Sequence, residues 1–321
     1  MVTCILKGMK MIYTVTLNTA VDRIVQIHGR LTRKANNKTK SVTYDIGGKA
    51  THVSVVLSAL HIQNIATGVI GGKTGEHMVR LMEAKGVRCN FIEQMDCETR
   101  ESIILVDESG EGSFMVTQKG FPLSSESIER LSLFLDANVV KEDIVIFAGS
   151  PPHDLDVEIY GSLLSIVKKK EAKLIVDAAG DYLKKALEYR PYLIKPNEFE
   201  YQEFINTKCE SIDDYVNALK THELNTDVTI VSLGKRGALA KKGDEIVHVV
   251  PPTIHEVNET GAGDFFVGGL VAKIYENASV EDMLRTAAAI GASKAMQEGS
   301  ASFSLIDVEE LLAKCKIERK V

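Results

Sequence analysis

Long apolar runs are missing from this 321-residue sequence, because no stretch approaches the 18 or so residues that a membrane-spanning helix requires. Positive charge is also in short supply, since 44 acidic residues outnumber 38 lysines and arginines and give a net charge of −6. This balance argues against nucleic acid or an anionic membrane as a partner. What remains, with 45% apolar and 26% charged residues, is the composition of an ordinary globular protein.

Cysteine is scarce as well, and its distribution excludes a disulfide framework. The cysteines are Cys4, Cys89, Cys97, Cys209 and Cys315. They are odd in number and no pair has metal-ligand spacing, so they are predicted to be reduced thiols of a cytoplasmic protein. The N-terminal stretch is too short and too strand-like for a secretory signal, and Met11 is an alternative start that would make the first ten residues an extension.

Short β-branched runs alternate with amphipathic helical segments along most of the chain. Strands are predicted at 12–17, 63–71, 102–107, 143–149, 173–179, 192–195 and 228–234. Between two of them, "THVSVVLSAL" repeats its apolar residues at the three- and four-residue spacing of a helix. Apolar strands that alternate with helices predict an α/β fold, a doubly wound and mostly parallel sheet with helices on both faces.

Two stretches interrupt this alternation. Residues 23–45 are polar and basic, and residues 96–120 hold two strand-like runs joined by "ESGEG". Both are predicted to form hairpins that meet over the sheet edge as a small β-sheet lid. The sequence has no linker, so residues 1–321 are predicted to form a single domain that carries this lid.

The glycine turn at 261–263 opens onto a predicted helix, "DFFVGGLVAKIY". Free amides and the helix dipole make such an end attract anions, and glycines let the backbone approach a ligand closely. Asp264 stands directly beside it. It is either a plain capping residue or a general base that takes a proton from a hydroxyl while the amides stabilise a transferring phosphoryl group.

Other glycine-rich stretches match no established nucleotide motif. "GVIGGKTG" lacks the first glycine of a phosphate-binding loop, because Thr67 stands where that glycine is required. The spacing of Gly261, Gly263 and Gly268 differs from the dinucleotide fingerprint, which argues against a nicotinamide oxidoreductase. "VSLGKRGALA" is predicted to be a strand, a tight turn and a strand.

Two further motifs precede predicted helices. In "YDIGGKATH", Gly47, Gly48 and Lys49 stand at a helix start and are candidates for substrate contact. In "LIKPNEFE", Asn197 and Glu200 lie on one helical face. They are interpreted either as a helix cap or as a polar pair that holds water around Mg²⁺.

Taken together and in this order, the motifs resemble those of the ribokinase-like carbohydrate kinases, the phosphofructokinase B family. The resemblance extends from Met11 over nearly the whole chain, and "NETGAGDFFVGG" is its most specific part. "TLNTAVD", "GGK" and "GSPP" are most similar to the branch of sugar-phosphate kinases that includes 1-phosphofructokinase and tagatose-6-phosphate kinase. The resemblance implies a ribokinase-like fold and Mg²⁺-dependent transfer of the γ-phosphoryl group of ATP to a sugar hydroxyl. A catalytically silent sensor of sugar phosphate is the alternative from another class.

The resemblance also implies roles for individual residues. Asp264 would be the base, beside an anion hole formed by Gly261, Ala262 and Gly263. The sugar would be bound by Asp22, Gly47, Gly48, Lys49 and His52, and its phosphate by Arg100 and Arg33. The nucleotide would lie against Lys195, Asn197, Ser232, Gly234, Gly237, Gly291 and Ser293. Glu200 and Asn197 would hold the metal through water. Apart from the resemblance, the exposed edge of a lid sheet can pair with a second copy of the chain, so a homodimer through the lid is a hypothesis.

Several residues depart from the family pattern around the sugar. Ala50, His52 and Thr19 stand where the sugar-phosphate kinases usually have glycine, asparagine and proline. His52 is bulkier than asparagine and can titrate. These changes leave the phosphoryl-transfer residues intact, so they affect the choice of sugar more than the type of reaction.

Overall fold

A computed structural model describes residues 10–110, 112–152 and 154–320. Cys4 and nearly all of the predicted N-terminal extension lie outside these residues. The strands are β1 Ile12–Thr16, β2 Ala20–Ile27, β3 Thr39–Gly47, β4 Asn64–Gly71, β5 Arg88–Gln94, β6 Arg100–Val106, β7 Ser113–Thr117, β8 Ile144–Ala148, β9 Lys173–Asp177, β10 Leu193–Ile194, β11 Val228–Ser232, β12 Ala238–Lys242, β13 Glu245–Val250 and β14 Lys316–Lys320. The helices are α1 Lys49–Ala59, α2 Gly72–Ala84, α3 Ser125–Asn138, α4 Val157–Lys169, α5 Gly180–Glu188, α6 Glu198–Ile205, α7 Ile212–Thr221, α8 Ala262–Tyr275, α9 Val280–Ala295 and α10 Leu305–Lys314.

Ten strands form the main sheet, in the order β14-β13-β12-β11-β10-β9-β8-β1-β4-β5. The pairs from β5 to β11 are all parallel, and β12, β13 and β14 extend the sheet with antiparallel pairs. The chain leaves β1 first towards β4 and later towards β8, so the strand order reverses beside β1. In open α/β sheets the crevice at the carboxyl ends of strands at such a reversal is where ligands bind.

Helices cover both faces of this sheet, as the alternating pattern predicts. One apolar core lies against α1, α8 and α9, and a second lies against α3, α4 and α5. Helix α1 is buried from Ala50 to Leu57, and it packs against both β1 and α8. A Cβ at Gly268 of α8 would lie 2.5 Å from Val56 of α1, so this close packing requires glycine. The predicted mostly parallel α/β architecture is confirmed.

A second, smaller sheet has the order β3-β2-β6-β7. Its two antiparallel pairs, β2–β3 and β6–β7, are joined by parallel pairing of β2 with β6. These strands fall largely within the two stretches that interrupt the alternation, so the predicted small sheet is present. Its apolar side chains Val42, Tyr44, Phe114, Met115 and Val116 are 41–55% exposed.

Helix ends follow the local sequence. Ser124 caps α3 by accepting a hydrogen bond from the amide of Ser127, as its position before an acidic first turn predicts. Gly86 follows the end of α2 in the left-handed conformation, with φ of 77°. Among the described residues, no helix is both long and apolar enough to cross a membrane.

Candidate active site

The candidate site lies at the carboxyl edge of the main sheet, next to β1 and β8. Helices α1 and α8 both begin there, at Gly48 and Gly261. Strand β9 delivers Asp177 to the same edge, and Lys195 follows β10. Residues that are far apart in the sequence therefore converge because parallel strands end at one edge.

Gly261 is the N-cap residue of α8 and adopts the left-handed conformation, with φ of 84°. A Cβ there would lie 2.8 Å from the carbonyl oxygen of Ser300 and 3.2 Å from the His52 ring. Gly263 differs, because it is exposed and nothing lies within 4 Å of where its Cβ would be. Only glycine fits the first position, whereas the second opens onto free space.

The amides of this turn are not equivalent. The Ala262 amide donates to the carbonyl oxygen of Glu259 at 3.0 Å, and the Asp264 amide donates to that of Gly261 at 2.9 Å. Within the described residues, neither the Gly261 amide nor the Gly263 amide donates to an acceptor. Of the three amides predicted to form the anion hole, these two are therefore the ones left for a ligand, and the Ala262 amide is engaged.

Asp264 is paired with His52. Its Oδ2 lies 2.8 Å from Nδ1 of His52, and Nε2 of the same ring lies 2.7 Å from the carbonyl oxygen of Ile46. Both ring nitrogens face acceptors, so the ring carries a proton on each and is an imidazolium. The His52 side chain is 3% exposed and that of Asp264 is 13% exposed. The two side chains thus form a nearly buried ion pair at the head of α8.

The pair holds both groups in their charged forms. Burial lowers the pKa of His52, but the hydrogen bond and charge of Asp264 outweigh it, so this pKa is raised overall. Burial raises the pKa of Asp264, but the hydrogen bond and charge of His52, with the charges of Lys49 and Lys195, bring it below its usual value. Asp264 is consequently ionised at neutral pH.

Asp22 lies on the small sheet and faces the same region. It is 4% exposed, and burial raises its pKa to about 6 although the charge of His52 opposes this rise. A Cβ at Gly47 would lie 2.4 Å from Oδ1 of Asp22, so glycine is required for this carboxylate to sit against the turn. Asp22, His52 and Asp264 form one electrostatic group, in which an imidazolium interacts with two carboxylates.

Two lysines flank the buried carboxylate of Asp177. The Nζ atoms of Lys49 and Lys195 each lie 3.5 Å from its Oδ1, and Asp177 is 1% exposed. That oxygen has no hydrogen-bond partner among the described residues. The charge of Asp177 raises the pKa of Lys49 in spite of burial. Asp177 is absent from the sequence prediction, although a carboxylate closing the apolar strand "KLIVD" was a usable signal.

Asn197 and Glu200 form a capping box at the start of α6. Oδ1 of Asn197 accepts from the amides of Phe199 and Glu200 at 2.9 Å, and Oε2 of Glu200 accepts from the Asn197 amide at 2.8 Å. Of the two interpretations of this motif, the cap is the one present in the structure. The described residues contain no group of three His, Cys, Asp or Glu side chains arranged for a metal ion. A metal role for the pair therefore remains a prediction.

The residues expected at the nucleotide lie on two elements. Ser232 ends β11, where its amide donates to the carbonyl oxygen of Pro196, and Gly234 and Gly237 bound the turn into β12 as the hairpin prediction requires. Gly291 packs against the start of α8, because a Cβ there would lie 3.1 Å from the carbonyl oxygen of Ala262. Ser293 is fully buried, and its hydroxyl bonds with the backbone of Ser304 at the start of α10.

The two arginines predicted for the substrate phosphate lie apart. Arg100 begins β6, where its Nε donates to Oδ1 of Asn18 at 2.9 Å, and burial lowers its pKa. Arg33 is exposed in the loop between β2 and β3, and Ile27, where that loop begins, is already roughly 16 Å along β2 from Asp22 at about 3.3 Å per strand residue. The structure brings Arg100 to the site and leaves Arg33 at the far tip of the hairpin.

Comparison with known proteins identifies a family of similar sequences and structures. Residues 14–307 match the model of the pfkB family carbohydrate kinases. The chain is 31% identical over 314 residues to 1-phosphofructokinase of Bacillus subtilis, covering 96% of this chain and 100% of that protein. It is 26% identical to tagatose-6-phosphate kinase of Staphylococcus epidermidis, covering 96% and 99%. The crystal structure of phosphofructokinase-2 from Escherichia coli in complex with potassium superposes with a TM-score of 0.88 at 27% identity, covering 95% and 99%.

Proposed function

Because the chain belongs to the pfkB family of carbohydrate kinases, we propose that it phosphorylates a ketose phosphate, with fructose 1-phosphate as its substrate. The reaction would be transfer of the γ-phosphoryl group of ATP to a hydroxyl, yielding fructose 1,6-bisphosphate and ADP. The relatives named 1-phosphofructokinase support this choice over tagatose 6-phosphate, the second candidate.

One observation carries the proposal: the carboxylate of Asp264 stands at the head of α8 beside two amides that donate to no acceptor among the described residues. Asp264 would accept the proton of the attacking hydroxyl, and the Gly261 and Gly263 amides would bind the oxygens of the transferring group. A base with a lowered pKa suffices, because the loose transition state of phosphoryl transfer demands little early deprotonation.

His52 would act through Asp264. Its imidazolium is hydrogen-bonded to Oδ2, which fixes the carboxylate and keeps it ionised in a nearly buried place. In this arrangement both ring nitrogens already have protein partners, so a sugar hydroxyl would have to replace one of them to contact His52. We therefore assign His52 a positioning role and leave the direct sugar contacts to Asp22, Gly47, Gly48 and Lys49.

The basic side chains around Asp264 would neutralise the negative charge of the substrate phosphates. Lys49 and Lys195 lie on the side of Asp177, and Arg100 lies on the side of Asp22. A guanidinium suits a sugar phosphate because it can donate two parallel hydrogen bonds. We assign the triphosphate to the lysines and the phosphate of the substrate to Arg100, with Ser232, Gly234, Gly237 and Gly291 nearest the nucleoside.

The residues present fit a Mg²⁺ ion that binds mainly through phosphates and waters. Such an ion needs only one or two protein carboxylates. Glu200 keeps Oε1 outside its capping hydrogen bond, and Oδ1 of Asp177 is buried with no hydrogen-bond partner in the part of the chain that the structure describes. Glu200 would hold the ion through water, with Asn197 orienting that carboxylate. When bound, Mg²⁺ neutralises charge on the transferring phosphate.

The small sheet would close over the sugar and exclude water, the competing acceptor. Its exposed apolar side chains and its edge strand β7 also suit pairing with a second copy of the chain, which is the homodimer that we propose. The four cysteines within the described residues are free thiols, which suits a cytoplasmic enzyme.

ADP release measured across several acceptors tests the proposal. We expect fructose 1-phosphate to give the highest kcat/KM, above tagatose 6-phosphate, fructose 6-phosphate and unphosphorylated fructose. Asp264→Asn is the matched control, and it should lower kcat about 10²- to 10⁴-fold while ATP binding persists. Preference for tagatose 6-phosphate would favour the second candidate. ATP binding without turnover on any acceptor would favour a silent sensor.

A further inference from the structure

Lys294 is a buried cation that the reaction scheme above does not use. It lies next to the last residue of α9 and is 0% exposed. Its Nζ donates to the carbonyl oxygen of Asn258 at 2.8 Å. Burying an ammonium is unfavourable unless something compensates for the lost hydration, and a methionine would fill similar space without that penalty. The presence of a charge here therefore requires an explanation.

The charges of four carboxylates act on the ammonium. Burial lowers the pKa of Lys294 to about 8, while the charges of Asp45, Glu259, Asp22 and Asp264 raise it. Two of these four, Asp22 and Asp264, belong to the candidate site. Lys294 therefore adds a buried positive charge to those that His52, Lys49 and Lys195 already direct at Asp264.

Asn258, whose carbonyl oxygen accepts the hydrogen bond from Lys294, is held in place just before the glycine turn at 261–263. Asn258 is 1% exposed, its amide donates to the carbonyl oxygen of Ala295, and its Nδ2 donates to that of Glu298 at 2.8 Å. Its Oδ1 accepts from the Thr260 amide at 3.0 Å. With Lys294 on its carbonyl oxygen, all four polar groups of Asn258 are hydrogen-bonded. Gly261 follows three residues later, so the position of Asn258 determines where the turn begins.

We propose that Lys294 is a positioning residue whose buried ammonium serves as a built-in monovalent cation, holding the 258–261 turn in its catalytic geometry and offsetting the charge of Asp22 and Asp264. The inference rests on the proposed function, in which the glycine turn at 261–263 binds the transferring phosphoryl group. If the inference is right, the site needs a positive charge at the position of the Lys294 ammonium, whether or not that charge is covalently attached.

Two substitutions separate the charge from the packing. Lys294→Met keeps the volume and removes the charge, whereas Lys294→Ala leaves a space that n-propylammonium or ammonium can enter. Lys314→Ala, at a lysine of α10 that is 61% exposed, is the matched control. We expect kcat to fall about tenfold or more in both Lys294 variants. Propylammonium chloride or ammonium chloride should raise the kcat of Lys294→Ala several-fold, whereas choline chloride should not. None of the three salts should raise the kcat of Lys294→Met.

The loss of the Lys294 charge should lower activity without lowering thermal stability. The folded-state pKa of about 8 lies below the ordinary lysine value of 10.5. Ionised Lys294 therefore opposes folding below pH 8, and this penalty is relieved as the pH rises towards 10.5. At pH 7, Lys294→Met should melt no lower than wild type even though it turns over more slowly. A purely structural lysine would instead give a loss of activity that follows a loss of stability.

The wild-type pH profile provides a test that does not depend on the variants. We expect kcat to decline as Lys294 loses its proton near pH 8, while circular dichroism shows the fold intact. A wild-type kcat that stays level to pH 9.5, a Lys294→Met variant with near-normal kcat, or a folded Lys294→Ala variant that no small cation restores would overturn the inference. An inactive wild type would instead refute the proposed function, so the two failures are distinguishable.

Discussion

Gly263→Ala should make the protein slightly more stable and much less active. Gly263 lies in the first turn of α8, and its φ is not in the left-handed region. A Cβ there would meet nothing within 4 Å. Alanine is favoured over glycine in a helix because it loses less backbone entropy on folding. The substitution should therefore add about 0.5–1 kcal/mol to the free energy of unfolding.

The loss of activity follows from the same open space. If a phosphate oxygen bonds to the Gly263 amide, the new methyl group must compete with it for the room beside the backbone. Removing one such donor from a transition state costs about 10²- to 10³-fold in kcat in enzymes that depend on it. We expect a fall of about 10²-fold, because the amide itself remains.

Steady-state ADP release and thermal unfolding measure the two effects on the same preparation. Gly243→Ala, in the turn between β12 and β13, is a control, since its Cβ also meets open space. Its φ of 57° should cost about 1 kcal/mol without affecting kcat. Gly261→Ala is less informative, because its Cβ would lie 2.8 Å from Ser300 and would disturb folding and activity together. A stable Gly263→Ala variant with wild-type kcat would refute the assignment of the anion site.

Three further substitutions test the surrounding charges. The rise in the pKa of Asp22 from 3.8 to about 6 corresponds to a folding penalty of about 3 kcal/mol, which grows as the pH rises from about 4 to 6. Asp22→Asn should therefore stabilise the protein at pH 7 by up to about that amount and still raise the KM for the sugar phosphate. An unchanged KM would contradict the binding role of Asp22. Glu200→Gln keeps an oxygen that can accept from the Asn197 amide, so the melting temperature of this variant should change little. The Mg²⁺ concentration that gives half-maximal rate should rise several-fold, and an unaltered Mg²⁺ dependence would remove Glu200 from the metal site. His52→Asn deprives Asp264 of its cationic partner, so the acid limb of the kcat profile should shift to higher pH; a limb that stays in place would show that His52 does not set the charge of Asp264.

The order of secondary structure was readable because buried parallel strands are continuous apolar runs. Strands β1, β4, β8 and β9 were predicted within two residues of their observed bounds. Strand β14 was missed, since "KIERK" has no apolar alternation and pairs only at the sheet edge with β13. Local sequence patterns identify buried strands because these strands are apolar. A polar edge strand forms because it pairs with the strand beside it, and its own sequence does not show this.

The site divides in the same way. The head of α8 was predictable, because glycines before an apolar helix announce a turn with free amides. The hydrogen bond between His52 and Asp264 joins residues 212 positions apart, so no local pattern could reveal it. Lys294 did leave a signal, a single lysine near the end of the small and apolar run "AAAIGASKAM", but its meaning depends on Asn258, which only the tertiary structure brings to it.

The most direct test of the whole account is a crystal structure with Mg²⁺, a non-hydrolysable ATP analogue and fructose 1-phosphate. The account predicts the terminal phosphate within hydrogen-bond distance of the Gly261 and Gly263 amides, with an acceptor hydroxyl against the carboxylate of Asp264. A triphosphate bound elsewhere on the molecule, with its end away from the head of α8, would contradict it.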